Sequence, residues 1–199
     1  MKRILLITAL FVMGFGSAQA QSLGDIFSAI MGTSNASEQK EAPKAVHPTA
    51  QQLADKWTYI QFEFEVSEND IMAAVLKSAQ SQFASLSENI GLKAGEDYIQ
   101  FKSNGTLIFG LGDNEVPATY SYIPPTGTVV ITINNNGEKV LVTAKATLVE
   151  KCLKIMFNAK ELFAVANNAD PSLSENTAFV FAQTLVNSYD NIMVGATFE

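Results

Sequence analysis

The sequence predicts a mainly β fold with helices (α+β), an antiparallel meander of about eight strands closed into a barrel. Three observations predict it. Stretches such as Phe62-Glu63-Phe64-Glu65 and TVVITI, residues 128–133, alternate their faces with a period of two. Turn signals separate these stretches at short intervals: Ser103-Asn104-Gly105, Pro124-Pro125-Thr126-Gly127 and Asn134-Asn135-Asn136-Gly137. One face is apolar and the other rich in Lys and Thr, and closing such a sheet removes its exposed edges. A long helix is expected after the first strand and two helices before the last.

Residues 1–20, MKRILLITALFVMGFGSAQA, have the layout of a signal peptide. Lys2 and Arg3 start it, and Ile4 to Phe15 form an apolar run too short to span a bilayer comfortably. Ala18-Gln19-Ala20 is a small-x-small cleavage site, and no cysteine lies near it for lipid attachment. The mature protein is therefore expected in the periplasm or outside the cell, not as a lipoprotein, and with no integral membrane span. Residues 21–48 form an arm and a linker. Leu23, Ile26, Phe27 and Ile30 have helical spacing, whereas residues 32–48 show no apolar periodicity. The folded domain is expected over residues 49–199, entered through a helical turn at Gln51-Gln52-Leu53-Ala54.

The first strand lies in WTYIQFEFEV, residues 57–66. Alternation puts Phe62 and Phe64 toward the core, and Glu63 and Glu65 toward water. Unbroken, it would also put Trp57 and Tyr59 on the glutamates' side and expose the only tryptophan of the chain. Either a bulge between Tyr59 and Phe62 switches the faces, or the long helix covers Trp57 from outside. That helix begins at Ser67, with Asp70 completing a capping pattern. Met72, Val75, Leu76, Ala79, Phe83, Leu86 and Ile90 keep helical spacing up to Gly91.

In YIQFKSNGTLIFGL, residues 98–111, a three-residue loop places Phe101 opposite Leu107 and Ile99 opposite Phe109, with Gly105 at positive φ. A two-residue turn would mix apolar and polar residues on both faces. VPATYSYI, TVVITI and EKVLVTAKATLV follow as strands. Glu150-Lys151 then reads as a tight turn without the usual glycine, pairing Leu148 with Leu153 and Ala146 with Ile155. Asn158, with Glu161 three residues on, starts a short helix. A second helix is expected from about Ser174 to Asn187, with Ala178, Phe181, Ala182, Leu185 and Val186 facing inward. IMVGATF, residues 192–198, is a last strand whose natural place is beside an early one.

LADKWTYIQFEF, YIQFKSNGTLIFG, ATYSYIPPTGTVVI, LKIMFNAKELF and SYDNIMVGATF occur in that order. Together they resemble a lipocalin-like domain family of unknown function found in secreted bacterial proteins, over roughly residues 50–199. The resemblance implies a lipocalin-like barrel decorated by helices and brings no catalytic residues. The chain departs from the family pattern at Lys56 and Thr58, where a glycine-containing start is usual, and at Asn191, where glycine is usual.

Composition narrows the chemistry. Without Lys2 and Arg3, the thirteen cations fall to eleven, all lysine, against twenty carboxylates, so the formal charge of −7 becomes −9. No guanidinium remains for bidentate capture of phosphate or carboxylate, and an acidic chain argues against a nucleic-acid partner. Cys152 is alone, so no intrachain disulfide forms, and it reads as a strand residue. The only histidine, His47, sits in the linker, which disfavours Ser-His-Asp, Cys-His and zinc chemistry. Glu63 and Glu65 share a strand face but are expected to be solvated. Glu96 and Asp97 read as the polar approach to a strand, and Asp113, Asn114 and Glu115 as a solvated turn lacking the spacing of a calcium loop.

The sequence thus suggests a noncatalytic envelope binding protein that uses no cofactor or metal. Its partner would be a small apolar molecule held in the barrel, or an envelope protein. Candidate cavity-lining residues are Phe62, Phe64, Phe101, Phe109, Ile131, Val142, Ile155 and Phe157, which a filled core would equally require. The alternatives are a protein-interaction module with a filled barrel and, more remotely, a carboxylate-dependent hydrolase.

Overall fold

The structure is a computed structural model of the chain. It describes residues 45–65, 92–135, 138–169, 174–175, 180, 183–184, 186–187 and 191–199. A helical turn α1 (Ala50–Leu53) leads into β1 (Lys56–Glu65), followed by β2 (Tyr98–Phe101), β3 (Thr106–Leu111) and β4 (Asn114–Ile123). After a 3-10 turn at Pro124–Thr126 come β5 (Thr128–Asn135), β6 (Glu138–Val149), β7 (Cys152–Asn158), helix α2 (Ala159–Ala169) and β8 (Met193–Phe198). The eight strands form a closed barrel in chain order. Each pair is antiparallel, and β8 closes the ring on β1.

Local chemistry sets the registers. Phe101 lies opposite Leu107 and Ile99 opposite Phe109, with Gly105 at φ 82°. The Lys102 N–H donates to the Thr106 carbonyl at 2.8 Å, and the Gly105 N–H to the Lys102 carbonyl at 3.0 Å. The expected three-residue loop is therefore present. Between β6 and β7, Leu148 faces Leu153 and Ala146 faces Ile155, while Glu150 takes φ 58° without a glycine. Asn191 also adopts a left-handed φ, 64°. A short polar side chain tolerates that conformation better than a branched one. At α1, Thr49 and Gln52 form a reciprocal capping box.

The face of Trp57 is settled by a bulge. Tyr59 pairs with Phe198 but Gln61 with Thr197, so Ile60 is an extra residue in β1. Either side of it, the parity of the strand reverses. Trp57 and Tyr59 therefore share the inner face with Phe62 instead of the outer face with Glu63. The Trp57 indole packs against the core, and its Nε1 donates to the Leu53 carbonyl at 3.0 Å.

The expected helices differ in standing. The long helix over 67–90 lies outside the described residues, as do the amphipathic arm and half of the helix expected over 174–187. The helix starting at Asn158 is present as α2, whose Glu161 N–H bonds the Asn158 Oδ1 at 3.3 Å. Leu162, Phe163 and Ala166 of α2 join the core. Among the described residues, no helix is long and apolar enough to cross a membrane.

One sequence expectation is overturned here. Glu63 does face away from Phe62, yet it is only 6% exposed. Its Oε1 accepts from Gln61 Nε2 and from Thr197 Oγ1, each at 2.7 Å. Its Oε2 lies 3.2 Å from Lys154 Nζ, which also holds Glu65 at 2.9 Å. Alternation assigned the face, but the neighbours that bury it, Lys154 of β7 and Thr197 of β8, come from 91 and 134 residues further along the chain. Glu65 remains exposed as expected.

Two predictions follow from this seam. Burial pushes the Glu63 carboxyl up, but the Gln61 and Thr197 hydrogen bonds and the Lys154 ammonium outweigh it, leaving it below its ordinary 4.5. A group depressed on folding stabilises the fold above its unfolded value, and that gain is lost as pH falls through its folded value. Thermal unfolding from pH 7 down to about pH 3 should therefore show a steeper acid loss in the wild type than in Glu63→Gln, which should itself cost roughly 1–3 kcal/mol at neutral pH. At Gly195 a Cβ would stand 1.9 Å from the Ile155 carbonyl oxygen. Gly195→Ala should cost about 1–3 kcal/mol or more in urea unfolding, because the obstacle is backbone.

Candidate ligand cavity

Strand β2 has only four residues, while β1 has ten. The two pair only from Lys56 to Thr58, and then the chain entering β2 turns away. There the Tyr59 N–H bonds the Asp97 carbonyl at 2.8 Å, and the Gly95 N–H bonds the Tyr59 carbonyl at 3.0 Å. The wall is thus completed on this side by a loop, residues 92–97, instead of a strand. Beneath it lies a cavity of about 40 Å³. At about 10–15 Å³ per water, it has room for about three waters.

The cavity is lined by side chains from the loop, β1–β3, β7 and β8. Tyr59 and Phe198 meet edge-on, their ring centres 6.1 Å apart, and Leu92, Leu111 and Ala196 pack around them. This satellite cluster joins the main core through Leu111 and Phe198, which pack against both. Of the candidate lining residues, Phe109, Ile155 and Phe157 border the cavity. Phe101, Ile131 and Val142 are instead buried in the main core, with Phe101 edge-on to Tyr120. Phe62 packs against that core half-buried. Phe64 pairs with Val194 in the sheet, and its side chain lies outside the described residues.

Sequence reasoning did not name Tyr59, Leu92, Asp97, Leu111, Ala196 or Phe198 as cavity residues. Phe198 and Ala196 are alternate positions of IMVGATF, and pairing this strand with the first places them inside. Leu92 and Asp97 gave no such signal, because they belong to an irregular loop.

Asp97 stands immediately before β2, on the strand approach the sequence predicts, and is also buried, at only 1% exposed. Its Oδ2 accepts the Lys93 N–H at 2.7 Å, and its Oδ1 accepts the Gly112 N–H at 2.7 Å. One carboxylate thus ties the loop before β2 to the turn after β3, across the rim of the cavity. Gly112 stands at φ 55°, which presents its N–H inward.

The other candidates lie elsewhere. His47 is exposed, but its ring lies against Gly127, and Val46 beside it makes a two-bond bridge with Leu148. Cys152 is the half-buried first residue of β7. Asp113 and Glu115 sit around the β3–β4 turn, where Glu115 accepts a hydrogen bond from the Tyr98 hydroxyl. That bond first, then burial and the neighbouring charge, raise the Tyr98 pKa above its ordinary value.

Comparison with known proteins gives one match. The family model described as Lipocalin-like domain (DUF4923) covers residues 27–199. No curated protein and no solved structure matches.

Removing the Asp97 carboxylate leaves two backbone N–H groups without their acceptor. Asp97→Ala should lower stability by roughly 1–3 kcal/mol. Hydrogen exchange should accelerate first at the Lys93 and Gly112 amides, and unchanged protection there would contradict the tie.

Proposed function

The chain belongs to the family described as Lipocalin-like domain (DUF4923), and from that premise we propose an exported, noncatalytic binding protein of the cell envelope that takes a small apolar group into its barrel. Export rests on the signal-peptide layout of residues 1–20. The observation that carries the binding reading is the cavity between Tyr59, Phe109, Leu111, Phe157, Ala196 and Phe198. Apolar walls release water from an apolar guest, which is the main driving force available here. At about 40 Å³ the space suits the tip of a molecule, such as a short or branched alkyl end, not a whole lipid.

The noncatalytic reading is supported by the state of the buried carboxylates. Both oxygens of Asp97 are engaged by backbone N–H groups. Glu63 is tied into an ion pair, with its pKa lowered, whereas a general acid needs it raised. A second reading, a protein-interaction module, is favoured by the packing of the rest of the barrel. Phe101, Leu107, Val129, Ile131 and Leu153 are at most 1% exposed, as a filled core requires.

Native mass spectrometry, with solvent extraction, of the protein purified from its own host separates the two. A retained small molecule is expected, and a stoichiometric protein partner without one would favour the second reading. Occupancy can be tested directly with butan-1-ol followed by NMR. Shifts should centre on Phe109, Phe157 and Phe198, and Ala196→Leu should reduce binding at least tenfold by filling the space while keeping the dispersed spectrum of the fold. Equal binding by this variant would sink the cavity as the site.

A further inference from the structure

We propose that the outer wall formed by β4, β5 and β6 docks the protein on an anionic lipid surface. The proposal is independent of the cavity, because it uses residues that face away from the barrel interior. Ala118 and Tyr120 of β4, Val129 and Ile131 of β5, and Val142 and Ala144 of β6 face the core. Alternation therefore turns Ile123, Val130 and Leu141 outward. Leu141 lies opposite Thr132, and Ile123 opposite Thr128. Val130 stands between these two threonines on β5, so the three aliphatic side chains form one diagonal stripe across three strands. Leu141 is 60% exposed and Ile123 48%. A contiguous line of aliphatic groups facing water marks an interaction surface.

The polar residues around the stripe select the partner. Thr119, Ser121 and Thr143 present exposed hydroxyls, and Lys139 and Lys145 supply the charge. Lys145 Nζ donates to the Thr126 carbonyl at 3.2 Å and to Thr128 Oγ1 at 2.8 Å, neither of which neutralises it. Among the described residues, neither lysine is paired with a carboxylate. The segments 117–123, 128–134 and 139–149 contain no acidic residue, although the chain has twenty carboxylates against thirteen cations. The wall is thus locally cationic on a protein whose net charge is −7. Phosphate groups accept from both ammonium and hydroxyl donors, so a phospholipid surface complements it.

Shape and charge decide among anionic partners. The outside of a closed barrel is convex. A fluid bilayer conforms to such a wall, and the aliphatic groups enter the boundary between head groups and acyl chains. A second copy docked two-fold on the same wall would set lysines against lysines, which opposes binding.

The test is co-sedimentation of the mature protein, at low salt, with vesicles of phosphatidylcholine alone or with about 30% phosphatidylglycerol. Binding to the anionic vesicles should be about fivefold stronger or more, and about 0.5 M NaCl should remove most of that preference. Ile123→Thr with Leu141→Thr should weaken binding about fivefold at an unchanged unfolding midpoint, since threonine suits an outward strand position. Lys139→Gln with Lys145→Gln should cut the anionic preference and leave binding to neutral vesicles as it is. Residues 21–48 are identical in every variant, so the differences read the wall alone. Wild-type protein that ignores both vesicles, or variants that bind as it does, would overturn the proposal. Binding to polyglutamate in place of vesicles would also overturn it, assigning the wall to an acidic protein. So would a dimer in sedimentation velocity that Leu141→Thr dissolves, which would assign the wall to a second copy.

Discussion

The pairing of β1 with β8 is the constraint on which the rest of the structure depends. It converts a sheet into a ring, and two features make it possible. At Gly195 β8 approaches the Ile155 carbonyl of β7 so closely that no Cβ fits, which seats β8 between β7 and β1. At Ile60 an extra residue lets β1 change faces without leaving its partner. The outer side of the same seam holds the Glu63–Lys154–Glu65 group, with Gln61 and Thr197 supplying the remaining hydrogen bonds. Three strands far apart in sequence thus share one buried carboxylate, whose isolation would be costly.

The bulge and the cavity have a common origin. Reversing the parity of β1 turns Tyr59 inward, where it meets Phe198, while the short β2 leaves the adjacent wall to a loop. The satellite cluster of Tyr59, Leu92, Leu111, Ala196 and Phe198 fills most of that corner, and the cavity is what remains. Asp97 then holds the loop and the β3–β4 turn at a set distance, so the rim is defined by hydrogen bonds and not by packing alone.

Elements governed by neighbours in the chain were readable in advance. The loop at Ser103-Asn104-Gly105, the turn at Glu150-Lys151 and the start of α2 at Asn158 follow from residue chemistry within a few positions. Phe109, Ile155 and Phe157 came out as inward residues for the same reason, because a strand alternates. The burial of Glu63 and of Asp97 was not readable, since a carboxylate in a polar context looks solvated until its distant partners are known. Alternation also left the side of Trp57 open, because a bulge has no residue signature in Tyr59-Ile60-Gln61.

The sequence by itself determined an antiparallel meander and the registers at Ser103-Asn104-Gly105 and Glu150-Lys151, since these depend on local periodicity and turn geometry, while five motifs in order carried the family resemblance. By composition it also left Arg3 as the one guanidinium and Cys152 as the one thiol, so that no intrachain disulfide can form. Only the tertiary structure decided where the wall is thin, which inward side chains border a space and which fill the core, and which carboxylates are enclosed. Those outcomes depend on how unequal strand lengths meet when the sheet closes. That is a property of the whole ring, which no single strand contains.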